Sequence, residues 1–169
     1  MLRFLFRGLT VDQKPGRNGF DRLVAEARQP HWYLQGSVPD TLNGRFAVLA
    51  TVCALAIVRV EKGKASEAGS MALTERFIEA MDSEHREMGL NDPGLGRRVR
   101  KLVASLAARV EDWRAAVSEQ ADWDETVRKS LRGDDAQGDQ ALDHCAIALR
   151  ALWTRLCAVS GEEVIEGRF

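Results

Sequence analysis

The sequence predicts an all-α fold, a compact bundle of six to seven helices. Apolar residues recur at spacings of three and four over most of the chain, which places them on one face of a helix. No segment sustains the alternation of apolar and polar residues that a half-buried strand requires. The apolar segment FAVLATVCALAIV at 46–58 lies between amphipathic segments and predicts a central, buried helix.

The composition is that of one globular domain. The chain has 169 residues, of which 45% are apolar, as in an ordinary folded protein. A net charge of −1 gives no reason to expect nucleic acid as a partner. Residues 97–109 contain five cations and no acid, whereas residues 111–125 contain six acids and one cation. We therefore expect a charge dipole. The apolar segment is shorter than the run of about 20 residues that crosses a bilayer.

Residues 1–18 are predicted to form an amphipathic N-terminal segment and a linker. In MLRFLFRGL the apolar residues share one helical face and the two arginines lie on another. A helix of this kind suits the interface of an anionic bilayer, although it is also compatible with a cap on the core or a frayed end. Cations within its apolar part do not match a signal peptide. Residues 11–19 are polar and contain the linker.

Residues 19–160 are expected to form a helical domain, and its first half contains three helices. The segment FDRLVAEARQ predicts a helix that Pro30 ends, and an aromatic-rich loop follows it. Asp40 or Thr41 can cap the central helix of about 41–62. Of Asp40 and Thr41, we expect Asp40 to be the cap. Arg45 is expected to form an ion pair.

The chain is then expected to return through solvent over residues 62–70. The helix that follows, at about 71–88, carries His85 on its apolar face, where a core or boundary position is expected. A long apolar stripe that includes Leu106 and Trp113 predicts a helix from about 95 to the high 110s.

The last part of the domain predicts two further helices. The segment ADWDETVRKSLRG forms a weaker helix, and a turn follows it. Asp139 is expected to cap a last helix that ends near 158. Residues 161–169 are polar and are expected to form a frayed tail.

Cysteine and histidine side chains do not indicate metal binding or catalysis. Cys53, Cys145 and Cys157 form no CxxC pair, and their odd number argues against a disulfide framework, so a reducing compartment is expected. The histidines are too scattered for a metal-ligand set. His144 and Cys145 are neighbours, but adjacent helical residues point about 100° apart, so they are not expected to form a catalytic pair.

The segment HREMGLNDPGLGRRVRKL at 85–102 places a loop with glycine and proline before four cations. This cation cluster consists of Arg97, Arg98, Arg100 and Lys101. A phosphate could bind at the free amides of the following helix, but no strand precedes the loop as in a P-loop or a dinucleotide motif. A helix-turn-helix needs a shorter turn and a larger basic surface. In the third interpretation Gly89 ends a helix, while Asp92 and Pro93 shape a tight link. This interpretation explains the glycines but not the clustered cations, which repel one another.

Two separated blocks of the sequence resemble the ubiquinol–cytochrome c chaperone family. The first block lies around VPDTLNGRF and consists of Tyr33, Val38, Pro39, Asp40, Thr41, Gly44, Arg45 and Phe46. The second consists of Met81, Asp82, Arg86, Glu87, Met88, Gly89, Asp92, Gly96, Arg97, Arg98, Val99 and Arg100. The blocks occur in the expected order and distance, and the resemblance covers roughly residues 20–130. Two departures are the small residues of ATVCALA, where the family has bulkier ones and often a histidine, and the additional Pro93.

The resemblance implies a non-enzymatic assembly chaperone for cytochrome b of the respiratory ubiquinol–cytochrome c reductase. Mitochondrial members of the family work with a small partner protein, bind near the ribosomal exit tunnel and hold newly made cytochrome b before its haem is complete. For this chain the resemblance implies no catalytic residue, metal or cofactor, and no DNA partner. It implies a cytoplasmic location, peripheral at the inner membrane, with a membrane-protein client. The motif residues Pro39, Asp40, Gly44, Arg45, Phe46, Gly89 and Gly96 are expected to be structural.

The candidate contacts with a client, a partner or a membrane are of two kinds. Trp32 and Tyr33 are candidates for holding apolar client segments, with the alternative that they cover the core. Arg86 and Asp92 are candidates because they lie in the matching block, and the cation cluster suits anionic headgroups or ribosomal RNA. A second hypothesis is a helical lipid- or anion-binding accessory protein whose 94–101 turn grips a phosphate. An exposed apolar groove beside the cations would favour the chaperone.

Overall fold

The computed structural model describes residues 14–63, 66–87, 95–131 and 138–169. The helices are α1 (Arg17–Ala27), α2 (His31–Leu34), α3 (Leu42–Glu61), α4 (Ser66–Glu87), α5 (Leu95–Val117), α6 (Trp123–Leu131), α7 (Asp139–Cys157) and α8 (Gly161–Ile165). Six of them have nine or more residues, while α2 and α8 are short. These described ranges contain no strand, so the predicted all-α bundle is confirmed. The predicted amphipathic segment at 1–9 lies outside them.

Helix α3 is the centre of the bundle. It packs against α1, α4, α5, α6, α7 and α8, and an almost unbroken run from Ala50 to Val58 is buried. Within the described residues α3 is also the one helix long and apolar enough to cross a membrane, yet 72% of its most apolar window is buried inside the bundle. The prediction that residues 46–58 form the central helix is confirmed.

The start of α3 departs from the sequence prediction in one detail. Thr41, not Asp40, is the N-cap, and its side chain accepts a hydrogen bond of 3.2 Å from the backbone N–H of Gly44. Asp40 instead accepts a 2.6 Å bond from Nε of Arg45, so the predicted ion pair of Arg45 is confirmed. The threonine is the cap because its extended backbone directs the hydroxyl at the free amides of the first turn.

Helix α4 begins earlier than predicted. Residues 66–70 were expected to lie in a solvent connection, but α4 starts at Ser66. Gly69 explains the difference, because a Cβ there would lie 2.4 Å from Ile165 and 2.8 Å from Val60. This glycine, which weakens a helix in isolation, lets α4 approach its neighbours closely.

The C-terminal residues are also more ordered than predicted. The expectation of a frayed tail is wrong, because residues 161–165 form α8, which packs against α1, α3 and α4. A capping box begins this helix: Ser160 accepts a bond from the N–H of Glu163, whose carboxylate accepts one from the N–H of Ser160. Val164 is fully buried.

Helices α5 and α7 have the buried stripes that their periodicity predicts. Leu106 and Trp113 of α5 and Leu149 of α7 are buried, and the ring of Trp113 meets that of Trp123 edge-on at 4.9 Å. Gly138, rather than Asp139, is the N-cap of α7. The capping prediction was therefore wrong by one residue.

Candidate functional site

An apolar groove lies between α1, α2, α3, α4 and α5. Its volume is about 940 Å³, which is within the size range of pockets that bind ligands. Its apolar walls include Val24 and Ala27 of α1, Leu34 of α2, Leu42, Phe46 and Leu49 of α3, Met81 of α4 and Leu102 of α5. Since five elements contribute to it, the groove depends on tertiary packing rather than on one sequence motif.

Two leucines at the groove are unusually exposed. Leu34 is 74% exposed and Leu42 is 46% exposed, and both line the groove. They are among the four large apolar side chains that are exposed in the described part of the chain. Together with the groove they form a continuous apolar surface of the kind that marks a binding site.

Tyr33, which the sequence indicates as a candidate contact residue, forms part of the groove wall. Its hydroxyl donates a 2.9 Å hydrogen bond to the backbone oxygen of Ala27, and its ring is half-buried. Burial is the main reason that the pKa of Tyr33 is raised above its ordinary value, so the phenol stays protonated. The tether holds the ring in place at the junction of α1 and α2.

Trp32, the neighbouring aromatic, does not reach the groove surface. Its side chain has 0% exposure, and its Nε1 donates a 2.9 Å hydrogen bond to the backbone oxygen of Glu26. A buried, hydrogen-bonded indole offers no surface to a client. This placement corresponds to the alternative interpretation, in which the tryptophan covers the core.

Three cations are among the described residues that line the groove. Arg28, Arg45 and Lys101 line it, and Asp40 is the one acid among the described lining residues. The side-chain hydrogen bond from Arg45 is the main reason that the pKa of Asp40 is lowered, so this carboxylate is ionised and its charge is matched by Arg45. The described part of the groove wall is therefore net positive.

The rest of the cation cluster continues from Lys101 along α5. Arg97 and Arg100 are exposed in its first turns, whereas the side chains of Arg98 and Arg86 lie outside the described set. Asp92 and Gly89 also fall outside the described residues. A Cβ on Gly96 would meet only the Arg100 guanidinium, at 3.9 Å, so packing among the described residues does not require a glycine there.

Sequence reasoning missed two residues at the groove: Ser105 in its wall and Arg109 behind Ser105. Ser105 lines the groove, and Arg109 donates a 2.5 Å hydrogen bond from Nη1 to its Oγ. The Arg109 guanidinium also lies over the ring of Phe46, 5.7 Å from its centre. The only signal in the sequence was the basic run 97–109, which does not distinguish a partly buried arginine from exposed ones.

A second cluster of polar groups joins α2 to α7, outside the groove. His31 Nδ1 lies 3.1 Å from His144 Nε2. Burial first, and the neighbouring His144 second, lower the pKa of His31. Cys145 is buried beside them, which raises the pKa of its thiol to about 11, and it donates a long bond to the backbone oxygen of Gly36.

This arrangement does not favour catalysis. The thiol of Cys145 stays protonated at neutral pH and is directed at a carbonyl, while the imidazole of His144 is engaged with His31. The expectation that His144 and Cys145 form no catalytic pair agrees with these contacts. Among the described residues, no group of three or more His, Cys, Asp or Glu side chains could hold a metal ion.

The groove is suited to holding an apolar segment. It offers exposed leucines, an anchored tyrosine and cations, and it presents no described nucleophile beside a base. Covering roughly 300 Å² of apolar surface would contribute about 7 kcal/mol before association costs. This is enough for reversible holding of a client.

Comparison with known proteins gives two matches. The ubiquinol–cytochrome C chaperone family model matches residues 35–169. The crystal structure of the Cbp3 homolog from Brucella abortus is similar to the chain, with a TM-score of 0.73 and 28% identity, over 90% of this chain and 85% of that one. No curated protein sequence matches. The family match reaches the C-terminus, beyond the residues 20–130 that the two sequence blocks covered.

Proposed function

The chain belongs to the ubiquinol–cytochrome c chaperone family, whose members are non-enzymatic assembly factors, and we propose that its client is newly made cytochrome b. In this proposal the protein acts at the cytoplasmic surface of the inner membrane. It covers apolar segments of cytochrome b until the ubiquinol–cytochrome c reductase is assembled.

The groove between α1 and α5 is the observation that carries this proposal. A membrane-protein client emerges with apolar helices that aggregate unless they are covered. The exposed Leu34 and Leu42, beside Tyr33 and Phe46, offer an apolar surface that such a helix can bury. The binding is reversible because association entropy offsets much of the apolar gain.

The cation cluster supports the membrane part of the proposal. Basic residues near an anionic bilayer each contribute roughly 1 kcal/mol to binding. Arg97, Arg100 and Lys101 are exposed on the same helix that forms one groove wall. A protein held at the bilayer by these residues would keep its groove close to the emerging client.

Deletion of the gene tests the proposed client directly. We expect the amount of assembled cytochrome b, measured from the haem b spectrum of isolated membranes, to fall in the deletion strain and to return when the gene is restored. Normal amounts of assembled cytochrome b in the deletion strain would contradict the proposal.

Groove variants test the proposed site. Leu34→Glu combined with Leu42→Glu places two charges on exposed positions, so the fold should be retained while apolar binding is lost. We expect this variant to restore less than half of the cytochrome b that the wild type restores. Ile147→Glu is a matched control, because Ile147 is 69% exposed and lies on α7, away from the groove. Equal loss in both variants would indicate that the groove is not the client site.

A further inference from the structure

Building on the proposed function, we infer that the groove binds a client helix carrying an acidic side chain, which Ser105 and Lys101 hold at the α5 wall. This inference concerns what the groove recognises beyond apolar character. It rests on the charges of the groove wall and on one hydrogen-bonded pair behind it.

The groove wall has a surplus of positive charge. Of the described residues that line it, Arg28, Arg45 and Lys101 are cations, and Asp40 is the one acid. Asp40 forms an ion pair with Arg45 at 2.6 Å, so its negative charge balances Arg45 and not Arg28 or Lys101. An apolar occupant without an acid would cover exposed cations such as Lys101 and remove them from water, which is unfavourable.

Arg109 adds a partly buried cation behind the wall, and Asp112, which acts on it electrostatically, forms its ion pair with Lys129 instead. Its Nη1 and Nη2 donate to Ser105 Oγ at 2.5 Å and to the backbone oxygen of Ser130 at 3.1 Å. Its Nε is buried without a partner, and no carboxylate of the described residues forms an ion pair with it. A desolvated cation of this kind is stabilised by a negative group nearby.

Ser105 connects this buried cation to the groove. Its Oγ accepts the hydrogen bond from Arg109, so its own O–H remains available to donate, and no acceptor for it lies within the described residues. Ser105 and Lys101 are one helical turn apart on α5 and both line the groove. A carboxylate between them would accept from the hydroxyl and from the ammonium group.

The volume of the groove is compatible with a short polypeptide helix as the occupant. A helix about 10 Å across fills roughly 120 Å³ per residue. The groove volume of about 940 Å³ therefore accommodates about eight residues, or about two turns. In the inferred complex the apolar residues of such a helix lie against Leu42, Phe46 and Leu102, and its acid faces Ser105.

Two fluorescent peptides test the inference with the intact protein. Both are Leu/Ala-rich helical hosts of about 14 residues, and they differ only by Glu or Gln at one central position. We expect the Glu peptide to bind about tenfold more tightly, because charge-assisted hydrogen bonds are stronger than neutral ones. The readout is the dissociation constant from fluorescence anisotropy.

Variants assign the preference to the α5 wall. Ser105→Ala with Lys101→Gln should reduce the Glu advantage to about twofold or less while the Gln peptide binds at least as tightly as before. Arg100→Gln is the matched control. Arg100 directly precedes Lys101 in the sequence and is also exposed, but it does not line the groove. This variant should retain the advantage. Circular dichroism of each variant checks that the fold is intact.

The outcomes separate this inference from the proposed function. Equal binding of the two peptides, or an advantage that survives the double substitution, would overturn the acid recognition and leave the chaperone proposal standing. The inference would also be overturned if dihexanoylphosphatidylglycerol, but not dihexanoylphosphatidylcholine, displaced the Glu peptide below its micelle concentration in a Ser105-dependent manner. That result would identify a lipid headgroup as the occupant.

Discussion

Gly44 shows how closely single residues control the start of α3. A Cβ at this position would lie 1.9 Å from the backbone oxygen of Pro39, a distance that no side chain tolerates. The absence of a side chain lets the chain turn from Pro39 into the helix and brings the Gly44 amide to the hydroxyl of Thr41.

Gly44→Ala should therefore destabilise the protein by about 2 kcal/mol or more, because the backbone must move to relieve the overlap. Urea unfolding followed by circular dichroism measures the change in the free energy of unfolding. Gly96→Ala is the control: among the described residues the new methyl group meets only the end of Arg100, so helix propensity should stabilise the protein by up to about 1 kcal/mol. Equal effects at the two glycines would refute this explanation.

The His31–His144 pair predicts a pH dependence of stability. Burial first, and His144 second, lower the pKa of His31 in the folded state, while Glu26 has a weaker opposite effect. The imidazole of His31 therefore binds a proton more readily in the unfolded state than in the folded state. The free energy of unfolding should thus be fully retained above the unfolded pKa of about 6.5 and fall as pH decreases below it.

The measurement is urea unfolding at several pH values between neutral and mildly acidic. In His31→Asn the titrating group is gone, so the decrease in the free energy of unfolding below about pH 6.5 should be smaller than in the wild type. Identical slopes for the two proteins would show that His31 does not titrate differently on folding.

For single residues, the sequence identified which side chains could take a role but not always which of two neighbours takes it. The ion pair of Arg45 was predicted, yet Asp40 and Thr41 both had capping side chains, and only the backbone conformation selects Thr41. Likewise Trp32 and Tyr33 are adjacent aromatics, and which one is buried depends on how the short α2 packs on the core.

Among the elements, the sequence underestimated two: α2, whose residues were predicted to lie in an aromatic-rich loop, and α8. SGEEVIEGRF is mostly polar, and a five-residue helix has no amphipathic period to detect. The capping box was present in the letters S-x-x-E, but its significance depends on Val164 finding a place against the core. Gly69 of α4 leaves room for the neighbouring Ile165, so α8 can pack closely against α4.

Val164→Ala should lower the free energy of unfolding by about 2 kcal/mol, because it leaves a cavity in a fully buried position. Ile147→Ala, at an exposed position of α7, should change it by no more than about 0.5 kcal/mol. Thermal and urea unfolding of the two variants provide the comparison. An unchanged stability of Val164→Ala would mean that α8 does not contribute to the folded core.

For the whole molecule, the cation cluster and the acidic segment that follows it predict a directional interaction with charged surfaces. We expect the protein to co-sediment with vesicles that contain phosphatidylglycerol and to be released as salt screens the charges. Replacing Arg97, Arg98, Arg100 and Lys101 by Gln should reduce vesicle binding by at least tenfold, since each contributes roughly 1 kcal/mol.

The matched control replaces Arg128 and Lys129 of α6, which are engaged with Glu125 and Asp112, by Gln. This variant should bind vesicles nearly as the wild type does. If both variants lose binding equally, net charge rather than the cluster is responsible. If neither loses it, the proposed membrane contact of α5 is wrong.

The architecture was predictable because helical periodicity and one apolar segment determine it. The groove was not, because Leu34, Leu42, Met81 and Ser105 come from four helices and share no spacing in the sequence. An exposed leucine looks the same as a buried one in a sequence, and only the packed structure shows which ones remain uncovered. Of the cations that line the groove, Lys101 was predicted as a contact residue and Arg45 as an ion-pair residue, whereas Arg28 and the nearby Arg109 were not predicted.

The central position of α3 also bears on how the protein is made. This helix has the length and hydropathy of a membrane span, and α4 to α8, which cover most of it, are synthesised later. On the ribosome it emerges bare, in the condition of the segments that the finished protein is proposed to shelter. Prompt docking of the later helices therefore covers an apolar surface that would otherwise stay exposed during synthesis.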